Sequence, residues 1–121
     1  MTTKSLSNEE IRVWYMRKVS EIANLNRQWK KEGKSLAERA RAASQFRQDR
    51  RLEAREMMKD PDEVELLRNR DRVKYGDPNG PTFEWLRERL KNEGLSENEA
   101  YEEIIKKAGM TDTEINKSLG V

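Results

Sequence analysis

Arginine is the residue whose type and spacing suggest chemistry most clearly in this sequence. If residues 36–59 form one helix, Arg47, Arg50 and Arg51 lie within its apolar stripe. The rest of that stripe consists of Leu36, Ala40, Ala43, Ala54 and Met58. A guanidinium that points at a core must find an anion or several acceptors, because an unpaired buried charge is strongly destabilising. The cluster therefore predicts either an internal ion-pair network or a phosphate-binding cleft.

The helix predicted from Asp60 to about Tyr75 offers this cluster one carboxylate. Asp71 shares a face with Val64 and Leu67, and Tyr75 follows one turn later. Asp71 can reach inward as the partner of one arginine, which leaves the other arginines available to an anion. In the functional interpretation, Asp71 orients the arginines or activates water, and Tyr75 assists. The predicted phosphate-binding residues, which would use bidentate contacts where they are arginines, are Arg47, Arg50, Arg51, Arg55 and Lys74.

Composition narrows the chemistry that these residues could perform. The chain has 121 residues, of which 40% are charged, and it contains no histidine and no cysteine. The commonest general base and all thiolate chemistry are therefore excluded, so catalysis would need Asp, Glu, Lys, Arg, Tyr or a hydroxyl. No cofactor is identified. The acids between Asp60 and Glu65 are interpreted as a helix start, which leaves no metal ligands.

Charge is distributed unevenly along a chain short enough to form a single domain, residues 1–121. Residues 1–59 carry 15 Lys and Arg against 8 Asp and Glu, whereas residues 60–121 carry 10 against 15. This basic half and the acidic helical half at 82–121 either neutralise each other by docking or leave an anion-binding surface. No uncharged stretch approaches the roughly 20 residues needed to cross a bilayer, so we expect no membrane partner.

Helix signals position these residues. Ser7, Ser35 and Ser96 each precede a glutamate by three residues, which is a capping box, and Asp60 and Thr82 are two further caps. The predicted helices run from these caps to Gly33, Lys59, Tyr75, Gly94 and Gly109 in chain order, and a short terminal turn or helix begins at Thr111. The expected fold is a compact all-α domain of five to six helices. Its second helix is long and basic, and a Gly/Pro loop at 76–81 is ordered against the body.

The most distinctive motif is KYGDPNGPTFEWL at residues 74–86. It resembles the C-terminal toxin domains of bacterial polymorphic toxins, which are carried by Rhs-type and related secreted proteins. The likeness extends to helical stretches at residues 39–40, 54–58, 67–71, 100–105 and 115–120. The resemblance implies a small helical toxin for interbacterial competition. Contact-dependent or type VI secretion would deliver it into the cytoplasm of a target cell, and a cognate immunity protein would neutralise it in the producer.

The resemblance also bears on catalysis. Relatives often carry a histidine near residues 46–49, where this chain has Gln48. Glutamine can orient a water or a phosphate but cannot accept a proton at neutral pH. The expected function is a toxin acting on nucleic acid, as a nuclease or another enzyme of phosphate-rich substrates, with Asp71, Gln48 and Tyr75 as catalytic candidates. The alternatives are a non-catalytic helical module that docks on an acidic partner, and an inactive toxin copy.

Overall fold

The computed structural model describes residues 6–110 together with residues 114 and 117, and all of its regular structure in these residues is helical. The helices are α1 (Asn8–Ser20), α2 (Ile22–Lys31), α3 (Leu36–Met57), α4 (Pro61–Tyr75), α5 (Phe83–Asn92) and α6 (Glu97–Ala108). The prediction of a compact all-α fold is confirmed for this part of the chain. The helix predicted from Thr111 onward lies outside the described residues, apart from residues 114 and 117.

Side-chain caps start the helices where the sequence predicts them. The hydroxyls of Ser7, Ser35 and Ser96 accept a hydrogen bond from the amide three residues later, at 3.1, 3.1 and 3.2 Å. In each case the glutamate at that third position accepts in return from the serine amide. Asp60 caps α4 ahead of a proline, and Thr82 caps α5. The capping boxes therefore form as predicted.

The prediction of one continuous first helix is wrong, because the helix is interrupted at Glu21. The Ser20 hydroxyl donates to the carbonyl of Arg17 at 2.6 Å. The Glu21 amide turns instead to the carbonyl of Lys18 at 3.1 Å, a tighter three-residue pattern. A serine side chain that competes for a backbone carbonyl commonly disturbs a helix in this way. One predicted helix thus becomes α1 and α2.

α3 is the central helix, and α1, α2, α5 and α6 all pack against it. Its first half contributes Ala40 and Ala43, which are completely buried and let other helices approach closely. Two apolar clusters form there: Ala40 with Phe83, Leu86, Leu90, Ala100 and Ile104, and Ala43 with Val19, Ile22 and Ala108. Its second half buries Arg47, Arg51 and Arg55. The core thus changes from alanine to arginine along a single helix face.

α4 is attached mainly by polar and aromatic contacts, since its backbone approaches the other helices at few points. Asp71 lies among the arginines of α3, and Tyr75 packs edge-on against Trp85 with ring centroids 4.9 Å apart. Near the start of α4, Glu63 accepts two hydrogen bonds from the Asn8 side chain, at 3.0 and 3.2 Å. On another face of α4, Leu66 and Val73 are exposed.

No helix in the described part of the chain is long and apolar enough to cross a membrane.

Candidate functional site

A buried charge network joins α3 to α4. Asp71 is only 1% exposed, and its carboxylate forms an ion pair with the Arg55 Nη2. The Arg51 Nη1 lies 3.5 Å from the same carboxylate oxygen, and the Arg70 Nη2 lies 3.6 Å from the other oxygen. The predicted pairing of Asp71 with an arginine of α3 therefore exists, and it involves two of them. Arg51, Arg55 and Arg70 thus gather around the Asp71 carboxylate.

The loop at 76–81 rests on the same arginines. The Arg55 Nη1 donates to the carbonyl of Pro78. Gly80, at φ +101°, lies so close to Arg51 that an added Cβ would come within 2.8 Å of the guanidinium carbon. The Asn79 amide donates to the Asp77 carboxylate at 2.7 Å and stabilises the turn. The loop thus contacts both guanidiniums, Arg55 through the carbonyl of Pro78 and Arg51 at Gly80.

Arg47 and Tyr15 extend the network toward α6 and α1. Arg47 is 2% exposed, and its Nε and Nη2 both lie 3.4 Å from the carbonyl of Met110. Two guanidiniums lie over the Tyr15 ring, with the Arg47 Cζ 5.9 Å and the Arg51 Cζ 5.7 Å from its centroid. Cation–π contacts of this kind hold guanidiniums in place without neutralising them. Arg47 is thus a buried structural residue that supports its neighbour.

The other predicted site residues lie apart from this network. Arg50 pairs with Glu53 at 2.8 Å and lies over the Phe46 ring. Gln48 is half-buried on α3, and Lys74 is exposed, with its Nζ 5.8 Å from the Tyr75 ring centroid. Tyr75 itself is buried against Trp85. The structure therefore brings Arg51, Arg55 and Asp71 together with the loop, whereas Arg50, Gln48 and Lys74 face other surroundings.

A cleft of about 610 Å³ lies between α1, α3 and α4, and this volume is typical of a small-molecule site. Three residues of the charge network, Arg51, Arg55 and Arg70, contribute to its wall. Arg12 from α1 and Arg70 from α4 are exposed and line the same cleft. Its apolar lining consists of Ile11, Met16, Ala54, Met58 and Leu67, with the Tyr15 side chain beside them. Four arginines therefore surround an apolar recess.

The electrostatics of the cleft favour an anion. Among the described residues that line it, Glu114 is the one acid against four arginines. Arg12 is also paired with Glu9, at 2.7 Å. Asp71 does not line the cleft, so its carboxylate lies behind Arg51 and Arg55 and positions their guanidiniums. Fixed guanidiniums bordering a recess can bind phosphate or carboxylate oxygens with little reorganisation.

No protein-family model matches this chain, and no curated protein or solved structure matches it. The geometry of the cleft is therefore the basis for proposing a function.

The sequence did not predict Arg12, Arg70 and Met16 as lining residues. They border a gap between three helices, and periodicity within one helix does not reveal such a gap. Tyr15 could have been found, since it belongs to the apolar series of the first helix.

A second charged cluster joins α5 to α6. Glu97 accepts hydrogen bonds from the Arg87 Nε at 2.8 Å and from the Tyr101 hydroxyl, and the Lys91 Nζ lies 2.9 Å away. The Arg87 hydrogen bond above all, with those from Tyr101 and Lys91, lowers the pKa of Glu97 from 4.5 to about 2. This cluster lies at a helix junction, and its groups satisfy one another. Its contacts join α5 to α6.

Proposed function

We propose that this chain is an antibacterial toxin domain that binds the phosphate groups of nucleic acid in the cleft between α1, α3 and α4. The observation that carries the proposal is the convergence of four arginines on one recess, two of them buried and fixed. Arg51 and Arg55 supply fixed donors in its wall, and Arg12 and Arg70 supply exposed charge at its edge. The resemblance of residues 74–86 to polymorphic toxin domains supports the toxin role.

The fixed arginines support phosphate binding for an energetic reason. A long side chain normally loses rotamer freedom when it binds a ligand, and that loss weakens affinity. Arg55 has already lost this freedom, because Asp71 and the carbonyl of Pro78 both hold its guanidinium. Arg51 is confined by Asp71, the Tyr15 ring and Gly80. A phosphate that meets these groups gains charge-assisted hydrogen bonds at a small entropic cost.

The proposal assigns roles to the other sequence features as well. The basic helix α3 supplies the inner arginines, and the Gly/Pro loop at 76–81, held by Arg55, keeps them oriented. As an enzyme, the domain would use the arginines to stabilise charge on a reacting phosphate. Asp71 acts on them as a positioning residue. Gln48 and Tyr75, the catalytic candidates of the sequence analysis, do not line this cleft, so the proposal gives them no step in it. The domain would act in the cytoplasm of a target cell.

Salt-dependent binding tests the proposal. Affinity for RNA or DNA, measured by fluorescence anisotropy, should fall steeply as salt rises. Arg12→Gln and Arg70→Gln should each reduce the slope of log affinity against log salt by about 0.7–0.9, the value of one phosphate contact. Arg41→Gln is the matched control, because the Arg41 side chain is 63% exposed and the Arg12 side chain 66%, yet Arg41 does not line the cleft. Equal slopes in all the variants would rule out the cleft as the phosphate site.

Growth of bacteria that express the domain tests the toxin role separately. The domain alone should inhibit growth, and co-expression of the gene that follows it in its genome should restore growth. Arg12→Gln and Arg70→Gln together should relieve inhibition, whereas Arg41→Gln should not. If the domain binds nucleic acid but cells that express it grow normally, the toxin role is wrong and the binding role stands.

One observation favours the alternative of a protein-interaction module. Leu66 and Val73 are 70% and 89% exposed, and they lie two turns apart on one face of α4. Arg70 and Arg72 are exposed on the same helix, which suits an acidic partner. In this alternative the domain would not inhibit growth. A double variant, Leu66→Ser together with Val73→Ser, would no longer bind the acidic partner, and its binding to nucleic acid would be unchanged.

A further inference from the structure

The cleft has apolar walls as well as arginines, and a phosphate needs only the arginines. Ile11 and Met16 from α1 face it, with Met58 from α3 and Leu67 from α4. These side chains surround a recess whose volume of about 610 Å³ exceeds what one phosphate group requires. The ligand that matches this lining has an apolar body and an anionic end.

The Tyr15 hydroxyl adds a third requirement. It is buried and makes no hydrogen bond with any of the described residues, although Tyr15 lines the cleft. A buried hydroxyl without a partner is unfavourable, because it has lost its hydrogen bonds to water. A sugar hydroxyl or a phosphate oxygen of the ligand would provide the missing partner once the Tyr15 side chain turns toward the cleft, because the hydroxyl has almost no accessible surface in this structure.

We propose that the cleft takes one unstacked nucleotide, with its base among the apolar side chains and its phosphate on the arginines. This inference rests on the proposed function and narrows its substrate class to single-stranded nucleic acid. A base in a duplex is stacked on both faces and cannot enter a recess between helices without leaving the stack. In a single strand, a base leaves the stack at a much lower cost in free energy.

The placement of charge agrees with this substrate. A protein that reads a duplex presents an extended basic face along the phosphate backbone. Of the described arginines that line this cleft, Arg51 and Arg55 are buried, and Arg12 and Arg70 are exposed. The described arginines of the cleft thus surround one recess, and this suits one nucleotide with its neighbouring phosphates.

Small ligands separate the contribution of the base from that of the phosphate. Isothermal titration calorimetry with adenosine monophosphate, ribose 5-phosphate and adenosine should give the tightest binding for the nucleotide. A base that packs against side chains should improve affinity about tenfold over ribose 5-phosphate. Equal affinities for adenosine monophosphate and ribose 5-phosphate would overturn the inference.

Two matched variants test the apolar wall itself. Met16→Ala should weaken adenosine monophosphate binding about threefold and leave ribose 5-phosphate binding unchanged. Val13→Ala is the control, because Val13 and Met16 lie on the same helix at 43% and 39% exposure and Val13 does not line this cleft. Tyr15→Phe should weaken both ligands without lowering the melting temperature. An unchanged nucleotide affinity in Met16→Ala would overturn the placement of the base.

The failure of this inference can be told apart from that of the proposed function. A short single strand should bind more tightly than the duplex of the same length and sequence. If the duplex binds at least as tightly, and the salt slope still depends on Arg12 and Arg70, the single-strand inference is overturned and the proposed function stands. If neither polymer binds at any salt concentration, both are overturned.

Discussion

Replacing Asp71 by Asn tests whether the buried charge network holds the fold together. The substitution keeps the volume of the side chain and removes its charge. Arg51 and Arg55 would then lose the carboxylate that both of them contact, in a place where Asp71 is 1% exposed and water cannot replace it. The asparagine oxygen can still accept a hydrogen bond from one guanidinium, but it does not compensate the charge of either.

The magnitude follows from the burial of the pair. Removing one partner of a buried ion pair typically destabilises a protein by about 3–5 kcal/mol, and the hydrogen bond that remains places Asp71→Asn near the lower value of about 3 kcal/mol. Unfolding entropy is about 2.1 cal/mol/K per residue. For the 121 residues of this chain, 1 kcal/mol therefore corresponds to roughly 4 °C. We expect the melting temperature to fall by about 12 °C.

Thermal unfolding followed by circular dichroism at 222 nm measures this change. Asp62→Asn is the control, because Asp62 is exposed in the first turn of the same helix and should change stability by about 0.5 kcal/mol at most. A fall of less than about 3 °C in Asp71→Asn would refute the reasoning. If that stable variant bound nucleic acid as tightly as the parent and yet no longer inhibited growth, Asp71 would be a catalytic residue and not a positioning residue.

Two further predictions concern the loop and the junction of α5 with α6. Gly80→Ala should destabilise the domain by about 1–3 kcal/mol more than Gly94→Ala, which is the usual cost of overpacking. The two glycines have φ of +101° and +98°, so the backbone strain of the substitution is shared, and of the two only Gly80 would bring a Cβ against Arg51. Equal unfolding free energies from urea titrations of the two variants would contradict this. Glu97→Gln should lower the melting temperature at pH 7, and its difference from the parent should vanish between pH 5 and pH 2. The folded-state pKa of Glu97 is depressed to about 2, so its stabilisation is present above its usual pKa and is lost as pH falls. A difference that persists at pH 2 would contradict this assignment.

Helix positions could be predicted because they depend on local signals. The Ser35 capping box and the Asp60–Pro61 start act within one turn, so the sequence contains the whole interaction. The break at Glu21 depends on a Ser20 rotamer that donates to a carbonyl, and serines adopt other rotamers in many intact helices. That break could not be deduced from residue type alone.

The candidate site was predictable only where one helix determines it. The phase of α3 places Arg47 and Arg51 toward the core, and both are buried. Arg55 is equally buried, but one of its acceptors is the carbonyl of Pro78, which reaches it through the tertiary fold. The positions of Arg12 and Arg70 at one cleft depend on how α1 and α4 approach each other. That distance is set by contacts such as the Asn8 hydrogen bonds to Glu63, and periodicity does not reveal it.

The arginines of α3 serve the fold and the proposed site at once, and this determines which variants can separate the two. Arg55 uses Nη1 for the carbonyl of Pro78 and Nη2 for Asp71, so truncating it would release the loop and leave a carboxylate buried. Lost binding in such a variant would report lost structure. Folding has already desolvated and oriented these guanidiniums, so the free energy of ligand binding does not include that desolvation and ordering. Arg12 and Arg70 are exposed at the edge of the cleft, so replacing them disturbs the core less than replacing Arg51 or Arg55 does. Arg12 is the cleaner of the two, because it pairs with the exposed Glu9, whereas Arg70 also contacts the buried Asp71.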